Sequence, residues 1–212
     1  MWFERFRPRH HLLMVALLAA GLLAGCGGDD DDDDGGTPTP ETFILQLLHL
    51  TDQEAGAPAI DDAPRLSAIL RTLESDYPDN TIILSSGDAF IAGPFFEAGT
   101  DESLIPLIGA PLLDEDGEPD ESLSRGRADI LIQNALGVQA IAIGNHEFDA
   151  GPNQFAALIP PNQDGSYPGA RFPYLSANID FSPVDDLADL VVPDAQPASA
   201  IPGSIATSTN VT

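Results

Sequence analysis

Three short polar runs in this 212-residue sequence carry side chains that could do chemistry together: Thr51-Asp52-Gln53-Glu54, Ser86-Gly87-Asp88 and Gly144-Asn145-His146-Glu147. Two divalent cations about 3.5–4 Å apart need a shared ligand, and a carboxylate is the usual bridge. Asp88 suits that part, because the glycine before it lets the backbone turn sharply and present the side chain. A Gly-Asp pair is also a common turn cap, so Asp88 alone is a weak signal. Gly-Asn-His-Glu is stronger, since a specified tetrapeptide turns up by chance in roughly one in a thousand chains of this length. Asn145 offers a neutral amide oxygen to a metal, and His146 can reach a leaving group or a non-bridging phosphate oxygen. Asp149 follows three residues later, close enough to orient the imidazole and stabilise its charged form. The plainer alternatives are a structural histidine and an aspartate that caps the next segment.

Each polar run follows an apolar one. Residues 43–50 (FILQLLHL), 81–84 (TIIL) and 138–143 (VQAIAI) read as buried strands, and 172–179 as a fourth. Asp61 and Asp62 offer N-cap oxygens to a helix over 63–75, whose Leu66, Ile69, Leu70 and Leu73 recur at helical spacing. A second helix is expected over 126–136, stopped at Gly137. Residues 93–126 read as a long connection with one short helix, and the tail beyond Asp180 has no strong periodicity. Strands separated by helices imply crossover connections, hence an α/β fold with a largely parallel sheet. Ligand sites in such sheets open at the carboxyl ends of the strands, where all three polar runs fall.

The ordered set of an Asp, a Gly-Asp and a Gly-Asn-His-Glu resembles the calcineurin-like metallophosphoesterases. Gly-Asn-His-Glu-Phe-Asp at 144–149, with His49-Leu-Thr-Asp52, is similar to the bacterial 5′-nucleotidase and UDP-sugar hydrolase branch, over about residues 43–180. The resemblance implies a four-layer α/β/β/α sandwich, of which this chain would be an N-terminal part, truncated at its C-terminus. It implies that Asp52 binds a first metal, Asp88 bridges both and Asn145 binds the second. His146 would be the catalytic histidine, polarised by Asp149. A metal-held water or hydroxide would then attack phosphorus in line, with no covalent enzyme intermediate.

Two departures qualify that expectation. Glu54 stands where the family has a histidine. As an oxygen ligand it would favour Mg, Mn or Ca over Zn; the alternative is that Glu54 is a bystander. The chain also has only four histidines, His10, His11, His49 and His146, and lacks the family's later single His and its Gly-His-x-His. His49 falls within a strand, where a core or edge role is as good a reading as a functional one. The expected activity is therefore that of a full-length phosphoester hydrolase, 5′-nucleotidase-like or alkaline-phosphatase-like, acting on a phosphate-ester small molecule such as a nucleotide. These 212 residues alone are expected to be inactive. A non-catalytic surface lipoprotein on a degenerate scaffold, or a module binding calcium through its acidity, stays open as an alternative.

Composition narrows the partners. Thirty-four acidic residues against 8 basic ones, all of them arginine, give a net charge of −26. Such a surface repels nucleic-acid backbones, so duplex binding is not expected. An anionic ester is still admissible if metal ions invert the local field. At the N-terminus Arg5, Arg7 and Arg9 precede an apolar run over 12–24. That run is short of the roughly 20 residues that span a bilayer and has the pattern of a secretory signal. It ends in Leu23-Ala24-Gly25-Cys26, which resembles the lipobox of bacterial lipoproteins. The resemblance implies cleavage after residue 25, lipidation of Cys26 and anchoring by several acyl chains; a plain cleaved signal is the alternative. Residues 26–41, with six consecutive aspartates, would be a solvated linker. The expected domain occupies 42–212, exported and held at a membrane facing the periplasm or the cell surface.

Overall fold

A computed structural model describes residues 42–54, 56–113 and 116–211. The expected signal segment, Cys26 and the acidic linker lie outside the described residues. Five strands form one parallel sheet: β1 (Gln46–Leu50), β2 (Thr81–Ser85), β3 (Ala140–Ala142), β4 (Tyr174–Leu175) and β5 (Ile205–Ala206). Their order across the sheet is their order in the chain. The fold is therefore α/β with a mostly parallel sheet, as expected.

The longer helices are α1 (Ala59–Glu74), α2 (Arg127–Leu136) and α3 (Pro152–Leu158). Parallel strands in sequential order, joined by right-handed crossovers, place every crossover helix on the same face. The core agrees. Ile83, Ile141, Tyr174 and Ile205 share one apolar cluster with Leu70 of α1, Ile130 and Leu136 of α2, and Phe155 and Leu158 of α3. Register puts these four strand residues on one face, because Ser85 pairs with Ile141, Ile141 with Tyr174 and Tyr174 with Ile205. The opposite face carries Leu47, Ile82, Leu84 and Leu175. It is apolar but partly open, with Leu47 58% exposed. The described residues thus hold one five-stranded sheet with helices on one face, and two further two-stranded sheets, 112–113 with 119–120 and 196–197 with 209–210.

Several boundaries differ from expectation for physical reasons. β1 is an edge strand rather than a buried one, and Phe43, Ile44 and Leu45 ahead of it are exposed. An edge strand has a single neighbour, so apolar content alone does not bury it. α1 starts at Ala59, so Asp61 and Asp62 lie in its first turn instead of capping it. There they still favour the positive end of the helix dipole. Pro64 sits inside the helix, where it removes one backbone donor. α2 stops as expected at Gly137, which takes the left-handed conformation at φ 80°. The tail past Asp180 supplies β5, a two-residue strand too short to show a period. Among the described residues no helix is long and apolar enough to cross a membrane.

Candidate active site

The three polar runs meet at the carboxyl ends of β1, β2 and β3. The Ser86 amide donates to the Leu50 carbonyl (3.0 Å) and the Glu54 amide to the Asp88 carbonyl (3.0 Å). The Ser86 hydroxyl donates to the Thr51 hydroxyl oxygen (2.8 Å). These bonds tie the loop after β1 to the loop after β2. Asp52, Glu54 and Asp88 all hold left-handed backbone, at φ 44°, 41° and 50°. Among the described residues only one other non-glycine residue, Ala195, has positive φ. Such conformations cost energy and persist where the surroundings over-determine them, often at functional sites.

The loops after β2 and β3 are packed backbone to backbone. A Cβ at Gly87 would lie 2.6 Å from the Ala142 carbonyl oxygen and 2.6 Å from the Gly144 nitrogen. A Cβ at Gly144 would run into the Asp88 carboxylate and sit 2.8 Å from the Asp88 nitrogen. Glu147 fastens the arrangement. Its buried carboxylate accepts the amides of Gly144 (2.7 Å), Asp88 (3.3 Å) and Ala89 (3.3 Å). Burial pushes this carboxyl above its ordinary range, and those three amide bonds pull it partly back. The sequence points to Glu147 only as a member of its tetrapeptide. Its task of bracing Asp88 is missed, and adjacency to His146 is the one clue.

His146 sits at the centre. Its amide donates to Asp88 Oδ1 (3.0 Å), its Nδ1 lies 2.7 Å from Asp149 Oδ2, and its Nε2 lies 3.8 Å from Glu54 Oε1. The Asp149 hydrogen bond raises the imidazole's proton affinity. Partial burial opposes it, and the charges of Asp149, Asp88 and Glu54 add to it. The ring is thus biased toward its cationic form with Nδ1 engaged and Nε2 turned to the rim.

Glu54, Asp88, His146 and Asp149 are therefore joined in one network. Asp52 is exposed on the same rim, its carboxylate accepting the hydroxyl of Thr51. Asn145 is exposed at the start of the 3₁₀ turn His146–Phe148. His49 lies on β1 with its side chain exposed, away from the buried face. The donor set of Asp52, Glu54, Asp88 and Asn145 is all oxygen, which in kind suits hard divalent cations. Among the described residues, no group of three or more His, Cys, Asp or Glu side chains is gathered closely enough to hold a metal ion.

No family model matches the chain. It is 27% identical over 145 residues to the trifunctional nucleotide phosphoesterase protein YfkN of Bacillus subtilis (strain 168), a match covering 65% of this chain and 8% of that relative. Among solved structures it is similar to a 5′-nucleotidase precursor from Thermus thermophilus, at TM-score 0.44 and 22% identity, over 68% of this chain and 24% of that one. It is also similar to the Haemophilus influenzae NAD nucleotidase, at TM-score 0.38 and 21% identity, over 66% and 22% of the respective chains. The chain spans under a tenth of the curated relative and under a quarter of either structure. The sequence likeness is to a nucleotide phosphoesterase, and the architecture is an α/β fold whose polar loops gather at one end of a parallel sheet.

Proposed function

We propose that the chain carries the phosphate-handling rim of a metal-dependent phosphoester hydrolase that acts on a nucleotide or a related small ester. The observation that carries this reading is His146, clamped by Asp149 at one ring nitrogen, facing Glu54 at the other, and bonded through its amide to Asp88. Likeness to a nucleotide phosphoesterase supports it. Held by Asp149, the cationic imidazole donates from Nε2 to the departing ester oxygen or to a non-bridging phosphate oxygen. Asp149 keeps the ring oriented and does not itself lose or gain a proton. Asp52, Glu54, Asp88 and Asn145 are the residues that would hold two divalent ions, whether Mn, Mg, Ca or Zn. Such ions, when bound, supply the positive charge that lets a chain of net charge −26 receive an anionic ester.

The nitrogen ligands that the family resemblance adds to this set are not among these residues, so the activity is proposed for a protein that supplies them. We also propose export and lipid anchoring through Cys26, which incorporation of labelled palmitate would report and Cys26→Ser would abolish. The test of the activity is hydrolysis of a phosphate monoester and a diester by the full-length protein with Mn, Mg, Ca and Zn compared. Chelator-sensitive hydrolysis restored best by an oxygen-preferring ion is expected. A clear preference for Zn would remove Glu54 from the ligand set, and no hydrolysis with any of the four would sink the reading.

A further inference from the structure

On its buried face α2 carries an acid that nothing neutralises. Asp129 is fully buried, and neither carboxylate oxygen has a hydrogen-bond partner among the described residues. Gln133 lies one turn on along the same side of the helix. It too is fully buried with both amide atoms unpaired, and so is the hydroxyl of Tyr174 on β4. These atoms are sealed from solvent, so water does not serve them. Native interiors rarely leave polar groups unpaired, and an ionised carboxylate without a partner is the costliest case.

Among the described residues no cation pairs with Asp129. Arg127, two residues earlier, is committed to the carbonyls of Ile108 and Ala110, to Asn162 and to the face of the Tyr167 ring. Tyr167 and Tyr174 share the interior with Asp129, and burial pushes both hydroxyls up, so they are neutral at ordinary pH. Glu147 reaches this group only through Tyr174, which feels both carboxyls. Of the segments packed on α2, α1 brings Asp61, Asp62, Arg65 and Arg71 at exposed positions and Glu74 at a half-buried one near its end. The helical turn 94–97 brings Glu97, exposed and paired with Arg125, and the turn 105–108 brings no titratable group.

Without a counter-charge, such a carboxyl rests in the interior as the neutral acid. We propose that the folded chain keeps Asp129 protonated, its hydroxyl donating to the carboxamide oxygen of Gln133, and that this one proton makes the packing of α2 weaken as pH rises. Protonation turns an acceptor-only group into a donor, which is what the unpaired Gln133 oxygen lacks. Burial lifts the carboxyl to about 8, with its own backbone amide pulling the other way. The folded chain therefore binds this proton more tightly than the unfolded chain, where an aspartate titrates near 3.9. The contribution to stability is full below about pH 4 and is lost as pH rises to about 8. Between those limits the unfolding constant grows about tenfold per pH unit. α2 leads through Gly137 into β3, so the helix that loosens is the one that feeds the His146 loop.

The test is urea unfolding of the chain and of Asp129→Asn between about pH 5 and pH 7, where the ratio of the parent's unfolding constant to the variant's is expected to grow about tenfold per pH unit. A ratio that stays constant within about twofold over that range overturns the proposal. Because a buried substitution can prevent folding, carboxyl carbon NMR of the parent chain labelled at aspartate asks the same question without a variant. One aspartate should keep the shift of a neutral acid at about pH 6 and move with a midpoint near 8. Aspartates that are all ionised by that pH overturn the proposal equally. Gln133→Leu tests the partner: losing the acceptor should lower the midpoint of that one resonance. A midpoint that stays in place or rises removes the Asp129–Gln133 bond.

Discussion

The two halves of the candidate rim are built differently. The half on β2 and β3 is locked: Glu147 takes three amides, Gly144 leaves no room for a methyl group, and the His146 amide holds the Asp88 carboxylate. The half after β1 hangs from an edge strand. Its two candidate ligands are exposed and tied back mainly by the Glu54 amide and the Thr51–Ser86 pair. Left-handed backbone occurs in both halves, at Asp88 as at Asp52 and Glu54, so what sets them apart is the number of bonds that hold each in place. A site of this make-up has one rigid jaw and one adjustable jaw.

Substitutions can break or sharpen that contrast. The largest effect is expected from His146→Ala in the full-length protein, which should lower ester hydrolysis by about 10²–10⁴-fold with the melting temperature nearly unchanged. A loss of twofold or less would show that the rim does no acid–base work. Next comes Gly144→Ala, where the added methyl group must displace Asp88. Urea unfolding should show a loss of about 1–3 kcal/mol, the usual cost of overpacking. Gly56→Ala, on the β1 side, meets nothing closer than 3.6 Å and should stay within about 0.5 kcal/mol of the parent. Equal costs at the two glycines would erase the distinction.

Glu147→Gln tests the lock by pH. Burial lifts this carboxyl above the usual value of about 4.3, so the folded chain binds its proton more tightly than the unfolded chain does. Its contribution to stability is then full below that pH and shrinks as pH rises through the raised value. The glutamine side chain does not titrate, so the stability gap between parent and variant should narrow on going from acid to neutral pH; a widening gap would mean that the amide bonds outweigh burial. The smallest structural effect belongs to Asp52→Asn. Unfolding should move by no more than about 0.5 kcal/mol, as for other exposed sites, while metal-stimulated hydrolysis falls. A large loss of stability would place Asp52 in the rigid jaw.

Much of this is legible in the sequence. Gly-Asp and Gly-Asn-His-Glu each follow a short β-branched run, and strand period and turn chemistry together put them at strand ends, where they are. Asp149 lies three residues past His146, a spacing that brings the two together on a tight turn, and the pair forms. What cannot be read depends on neighbours distant in sequence. That Glu147 turns inward is decided by amides 58 and 59 residues away as well as by Gly144. The exposure of β1 reflects which strands flank it, a property of the sheet and not of Phe43 to Leu50. Gln133 is buried on α2, but nothing local announces that its amide finds no hydrogen-bond partner among the described residues.

The order of the strands has a kinetic corollary. Because each strand docks beside the one made just before it, the sheet can grow by accretion from its N-terminal edge as the polypeptide emerges, with no segment waiting for a distant partner to be synthesised. Pairing only between consecutive strands keeps contact order low for a parallel sheet, which favours fast folding. The three loops of the rim belong to the first three strands, so all of them have been synthesised before Tyr174 and Ile205 add the last two strands.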